Sequence, residues 1–289
     1  MTSLREACWL LRCCGFGAAP RQVQWVRRQG YTRAVDHWLS QTSATPAPEG
    51  WARWRVQSLI DWWLERMFQP QGFLLEKMTL FWHGFFTTSS DPVFAAALLL
   101  RQNQMLRDNA WGRFGDLLQQ VSRDPAMLVY LDGFRNKKAH PNENFAREVM
   151  ELFTVGPGLY SEEDLREAAR AFTGWGVDWL RGGTFRYNLR EHDDGPKKFL
   201  DLRGNLDGTR VLQRLASDPA CALHVCQRLW SFFTGHPTEV QESQRLARVF
   251  VASHGNLKVV LRNLLLGDAF RACASMRTRS EERRVGKEC

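Results

Sequence analysis

The sequence contains no Cys-x-x-Cys pair, no His-Glu-x-x-His segment and no Gly-x-Ser-x-Gly elbow. The first absence removes the usual frame for a structural zinc or a dithiol centre, the second the zinc-protease helix, and the third the nucleophile turn of an α/β hydrolase. Neither GxxxxGKS nor GxGxxG follows a strand, and Gly15-Phe-Gly17 reads as a helix-stop turn, so no phosphate-binding loop is present. Long apolar runs are missing too. The longest, Phe94 to Leu100, falls well short of the ~18 residues of a membrane span. The early run Ala7 to Leu11 is cut by Arg12 and is too short for a signal core, which makes the cytoplasm the default compartment. The envelope or periplasm is the alternative if the start codon is placed too late.

What is present is enough for a packed core. The 289 residues are 44% hydrophobic and 12% aromatic, sufficient for one large or two small globular domains. The net charge of +8 favours anionic partners in principle. Its basic residues are nevertheless scattered among acids, with local groups only at Arg27 and Arg28 and at Arg135, Lys137 and Lys138, which argues against a nucleic-acid surface. The seven cysteines, Cys8, Cys13, Cys14, Cys221, Cys226, Cys273 and Cys289, lack metal spacing and are read as small buried hydrophobes in a reducing compartment.

Helix punctuation dominates the chain, and the fold class read from it is mainly α. Asp-Pro pairs at Asp91-Pro92, Asp124-Pro125 and Asp218-Pro219 place an N-cap before a proline that needs no amide partner. Ser161-Glu-Glu-Asp164 resembles a capping box, followed by Leu165, Ala168, Ala169 and Phe172 at helical spacing, with Gly174 and Gly176 stopping the helix. Trp62, Trp63 and Met67 form a similar stripe, read as core, as are most of the 12 tryptophans. The exception lies around 180–208, where Gly182, Gly183, Gly195, Gly204 and Gly208 interrupt the pattern. Thr184–Tyr187 and Lys198–Leu200 alternate there, so a Gly-rich loop or small β-hairpin is expected as an insert. Pro46, Pro48 and Gly50 mark an exposed connection between an N-terminal helical unit, 1–45, and a main helical domain, 51–278.

The segment from His140 to Gly156 concentrates the most chemistry. Pro141 suits a first helical turn and Glu143 the positive end of a helix. Phe145, Val149, Leu152 and Phe153 form an apolar side, while Asn144, Arg147, Glu148 and Glu151 lie three and four residues apart on the other. Three readings fit this face: a solvated i,i+4 ladder of Glu143, Arg147 and Glu151, a buried polar network, or a catalytic or metal site. In the last, Glu148 and Glu151 divide acid and base roles or bind a cation, Arg147 acts as an electrostatic clamp, and Asn144 completes the set. Imidazoles must then come from His83, His140 or His192, the last beside Asp193, as candidate ligands for a divalent metal.

These segments together resemble the Domain of Unknown Function 1800 family. The resemblance is carried by Leu10–Gly17, Glu76–His83, Arg101–Gln104, Arg123–Asp132, His140–Gly156, Glu167–Trp175, His192–Lys197 and Arg228–Phe233, spanning roughly residues 7 to 270. One departure stands out: the family usually carries a second histidine two residues after the first in its Trp-His-x-His-Phe segment, and here that residue is Phe85. Two functions follow as expectations. One is a metal-assisted hydrolase-like enzyme. The other, implied by the resemblance, is a non-catalytic helical partner for a neighbouring protein of the sulfatase or alkaline-phosphatase type. Members often look exported and continue past Phe270 with further helices, so the chain is read as C-terminally truncated. Residues Arg279–Cys289 resemble the in-frame translation of a short-read sequencing adapter and are set aside from the fold, the alternative being a charged tail.

Overall fold

The first helix, α1 (Leu4–Cys14), begins at Ser3, whose hydroxyl accepts from Glu6 N while the Glu6 carboxylate returns to Ser3 N. Trp9, Leu10, Leu11 and Cys14 lie on the face it buries. The computed structural model describes residues 2–42, 55–90, 93 and 95–275. The starts expected at Asp91-Pro92, the connection at Pro46, Pro48 and Gly50, and the tail from 276 onward lie outside the described residues.

Helices α2 (Pro20–Gln29) and α3 (Tyr31–Ser40) follow, and are tied to the other end of the chain, α14 (Leu257–Leu266) and α15 (Asp268–Ala272). Tyr31 Oη donates to Leu265 O at 3.1 Å, Trp9 Nε1 to Phe270 O at 3.1 Å, and Arg262 pairs with Asp36 at 2.6 Å. The centre is α5 (Phe73–Phe85), which touches α1, α3, α4 (Val56–Met67), α6 (Ala96–Asp108) and α12 (Pro219–Thr234). Burial on so many sides explains why α5 is apolar nearly all round rather than along one stripe. Its Phe81 and Trp82 rings meet at 4.7 Å, and Trp82 stacks on Phe86 at 5.7 Å. Such aromatic pairs add about 0.5–1.5 kcal/mol beyond the area they bury. Among the described residues the main apolar cluster runs from Ala7 to Cys273, and a small second one joins Val93, Leu98 and Ala126.

The remaining helices are α7 (Phe114–Ser122), α8 (Pro125–Tyr130), α9 (Glu143–Glu151), α10 (Glu162–Ala171), α11 (Gly208–Ala216) and α13 (Val240–Ala252), so the fold is mainly α. Asp124 and Asp218 cap α8 and α12 as their Asp-Pro pairs predict, and Ser161 with Asp164 forms a full capping box on α10. The insert differs in detail from a single hairpin. Four strands, β1 (Trp175–Asp178), β2 (Thr184–Tyr187), β3 (Lys197–Phe199) and β4 (Leu202–Gly204), form two separate antiparallel pairs, β1 with β2 and β3 with β4. The two alternating stretches therefore pair with neighbours the alternation did not reveal, not with each other. Two glycines fix the insert's position. Gly174 has φ +82°, and a β-carbon there would lie only 2.6 Å from Asn188 O, while at Gly208 a β-carbon would meet Phe172 and Trp175 at 2.5 Å.

Among the described residues the cysteines are free, and all but Cys8 are buried. Burial pushes the Cys13 and Cys226 thiols up to about 12, so they remain protonated packing groups at neutral pH. No described helix is long and apolar enough to cross a membrane.

Candidate functional site

The start of the signature helix is an asparagine brace. Pro141, expected in the first turn, lies before the N-cap Asn142, whose side chain accepts from Asn144 N at 3.0 Å and donates to Asp132 O at 3.2 Å. Asn142 N donates in turn to Asn136 Oδ1 at 2.9 Å, and the buried Asn136 reaches Ala169 O at 2.8 Å. Asn144 Nδ2 donates to Leu131 O at 3.0 Å. Pro141 precedes the helix because the cap that satisfies the first free amides falls one residue later. Three asparagine amides thus lock α9 and α10 onto the turn at Leu131 and Asp132, a turn whose Asp132 sits at φ 55°.

The outward face of α9 carries the carboxylates. Arg147 lies 3.5 Å from Glu143, 3.8 Å from Glu151 and 3.7 Å from Glu162, all partly or largely solvated. Tyr160 Oη donates to Glu151 Oε1, and burial followed by this bond pushes its phenol up to about 12. Glu148 differs from its neighbours. Its side chain has no hydrogen-bond or ion-pair partner among the described residues, and burial, then the Glu151 charge, hold its carboxyl above the ordinary range against the pull of Arg147. The inner face buries Phe145, Val149, Met150 and Phe153. Leu152, expected there, is 53% exposed because the helix ends at Glu151, and its carbonyl accepts from His224 Nε2 at 2.9 Å.

The candidate metal ligands fall in three different settings. His192 is buried with Nδ1 2.9 Å from Thr173 O and its ring against Tyr187 at 5.3 Å. Asp193 takes Arg170 in a two-pronged pair at 2.7 and 3.1 Å, which holds its carboxyl down to about 2. Arg170 also holds Glu167 at 2.9 Å, and the buried Lys197 donates to Asp193 O and Gly195 O, so this cluster fastens the insert to α10. His140 is exposed in a turn closed by its own amide on Lys137 O at 2.9 Å. Among the described residues no group of three or more His, Cys, Asp or Glu side chains is arranged to hold a metal ion.

Of these four, His83 lines a described cleft. The cleft, of about 360 Å³, is walled by Val56, Leu59, Ile60, Trp62, Trp63, Leu99 and Leu100, with Thr88, Ser89, Ser90, Gln102, Asn103 and His83 as its polar groups. The His83 ring meets Trp63 edge-on at 5.1 Å, neither ring nitrogen has a hydrogen-bond partner among the described residues, and burial lowers its basicity. Trp62 and Trp63, expected in the core with Met67, are therefore corrected: Met67 is buried, whereas both indoles are half-exposed in the cleft wall. Phe85, where the resemblance expects the second imidazole, is buried with its ring 5.7 Å from His224 and the Arg228 guanidinium 5.9 Å above it.

Behind the cleft sits a charge cluster that sequence reading missed. Glu76 accepts from Arg107 at 2.8 and 2.9 Å, from Arg66 at 3.1 Å and from Trp63 Nε1 at 2.9 Å, and both guanidiniums lie over the Trp62 ring at 5.1 and 5.4 Å. A second chain, Thr88 to Gln102 at 2.5 Å and Gln102 to Asp124 at 2.7 Å, supports the wall beside Asn103. Burial of Asp124 pushes its carboxyl up to about 6. The one signal available in the sequence was Glu76 in the mostly apolar helix α5, where a buried charge requires a partner.

Comparison of the chain with curated proteins and with solved structures returns no match. The model of the family described as "Protein of unknown function (DUF1800)" matches residues 9–283, nearly the whole length, and the chain belongs to that family.

Proposed function

We propose that this protein is a hydrolase-like enzyme acting on a small substrate in the cleft at His83, with the His83 imidazole as proton acceptor. The observation that carries the reading is an imidazole kept neutral by burial, with unbonded ring nitrogens, in the wall of a cleft large enough for a small molecule. A neutral imidazole takes a proton from water as the water oxygen attacks a carbonyl carbon, then returns it to the leaving group. The apolar wall excludes bulk water, and the polar groups of the cleft orient the substrate. Among the candidate metal ligands this reading uses His83, the one that lines the described cleft; the His192 Nδ1 bond to Thr173 O and the Asp193 pair with Arg170 lie in the insert. The test is His83→Gln assayed on 4-nitrophenyl esters and 4-nitroanilides, alongside elemental analysis of the purified wild type. Expected are loss of turnover with an unchanged melting temperature, and a wild-type acid limb centred below the usual imidazole range. A variant that keeps wild-type turnover removes the proposal.

A second reading, a helical partner for a sulfatase- or phosphatase-like protein, is favoured by one observation: Trp179 is 55% exposed and Leu180 fully exposed at the tip of the insert. Co-expression followed by size-exclusion chromatography tests it. Co-elution that Leu180→Asp abolishes supports the reading, and separate elution of the two wild-type proteins ends it.

A further inference from the structure

We infer that the cleft at His83 takes an uncharged carboxamide, its apolar body against the indoles and its amide edge paired with the side chain of Asn103. The inference rests on the enzyme reading above and names the substrate class for it. Three observations carry it. First, among the described residues the lining contains no Asp, Glu, Lys or Arg, so a charged ligand would lose its hydration there and find no counter-charge in the described wall. Second, Asn103 is 8% exposed and its Oδ1 is buried without a hydrogen-bond partner. An unsatisfied buried amide is rare in folded proteins, and one beside a cavity is a ready docking point for a ligand. Rotation about its terminal torsion, which is soft for asparagine, turns either end toward the cleft. Third, Trp62, Trp63, Leu59 and Leu99 supply flat and aliphatic wall for a ring or short chain.

The chemistry of the edge selects the class. A primary or cis amide offers one N–H donor and one carbonyl acceptor side by side, matching the acceptor and donor of Asn103 in two parallel hydrogen bonds. A carboxylate lacks the donor and an ammonium lacks the acceptor, and each brings a charge the wall does not balance. The reaction is then amide hydrolysis. The oxygen of a solvent water bonds to the carbonyl carbon, its proton passes to His83, the carbon–nitrogen bond breaks, and His83 returns the proton to the departing nitrogen. The products are a carboxylic acid and ammonia from a primary amide, or an amine from a substituted one, with no oxidant or reductant required.

Binding of benzamide, benzoate and benzylamine to the full chain, followed by calorimetry and by indole fluorescence, tests the assignment. Benzamide is expected to bind about tenfold or more tightly than either charged analogue, and Asn103→Leu to weaken benzamide by about tenfold. Should Asn103→Leu fail to fold, Asn103→Asp retains the shape, loses the donor, and carries the same expectation. Equal binding of all three probes, or benzamide affinity unaltered in the folded Asn103 variant, overturns it. Benzamide affinity in wild type and in the Asn103 variant is read without turnover, and turnover of His83→Gln is read separately, so failure of the substrate class and failure of the catalytic reading appear in different measurements.

Discussion

Glu76 and Arg107 meet through both carboxylate oxygens, Arg107 Nε donating at 2.8 Å and Nη2 at 2.9 Å, with the two side chains almost wholly buried. Burial alone would raise the Glu76 carboxyl, and the bonds and charges of Arg107 and Arg66 reverse that, leaving it below the ordinary range. A bidentate pair of this kind holds α5 to α6 in one register and fixes the back of the Trp62 wall.

Glu76→Gln should therefore be strongly destabilising, by about 3–5 kcal/mol, because it leaves buried guanidiniums without their carboxylate. The measurement is the urea midpoint at pH 7. The lowered carboxyl also sets a sign: its contribution is present above the unfolded carboxylate range and is lost as pH falls through the folded value, so wild type and variant should converge in acid. A midpoint unchanged at neutral pH would show that the pair is dispensable.

The signature helix separates into bracing and solvated positions. Asn142→Ala removes a cap and the donor to Asp132 O, and should cost about 1–2 kcal/mol. Arg147→Ala breaks only partly solvated pairs at 3.5 to 3.8 Å and should cost less than about 1 kcal/mol. Denaturant titration of the two variants side by side decides whether the order holds; the reverse order would mean that the ladder, not the cap, anchors α9.

Local signals made much of this legible in the sequence. The caps at Asp124, Asp218 and Ser161 and, Leu152 apart, the apolar face of α9 are written in contiguous residues, and the structure places them accordingly. Tertiary signals were not. A stripe such as Trp62, Trp63 and Met67 shows that a face is apolar, not whether a neighbouring helix fills the space against it, and α4 and α6 leave a cleft there. Strand pairing failed for a similar reason, since alternation in Thr184–Tyr187 gives a face but no partner. The partners of His192 Nδ1 and of the Asp193 carboxylate, Thr173 and Arg170, lie about twenty residues upstream and so were not visible beside them.

The Asp124 carboxyl supplies a pH test close to the cleft. It is buried, accepts from Gln102 Nε2 at 2.7 Å and Met127 N at 3.1 Å, and is raised from 3.8 to about 6. A raised folded value means the group's stabilising contribution is complete below pH 4 and is lost as pH climbs through 6, a span worth about 3 kcal/mol by linkage. Asp124→Asn keeps an acceptor for both bonds and cannot ionise. Its stability relative to wild type should grow by that order between pH 4 and pH 7, read from urea unfolding at intervals across the range. A constant difference would show that Asp124 ionises without penalty.

Glu148 decides between the two places where chemistry could sit. Burial and the Glu151 charge raise its carboxyl, and no described residue bonds to it. A raised carboxyl is most favourable when protonated, so its contribution is complete below the ordinary carboxylate range and declines as pH rises through the folded value. Glu148→Gln mimics the protonated form. It should match or exceed the wild-type melting temperature at pH 7, with the advantage shrinking toward pH 4. With His83 as the proton acceptor, turnover of the variant should remain near wild type. If turnover disappears while melting is unchanged, the acid or base lies on α9 and the cleft serves another purpose. Measuring His83→Gln and Glu148→Gln on the same substrates places the reaction at one site or the other, because each variant removes a proton-transfer group without removing a structural bond.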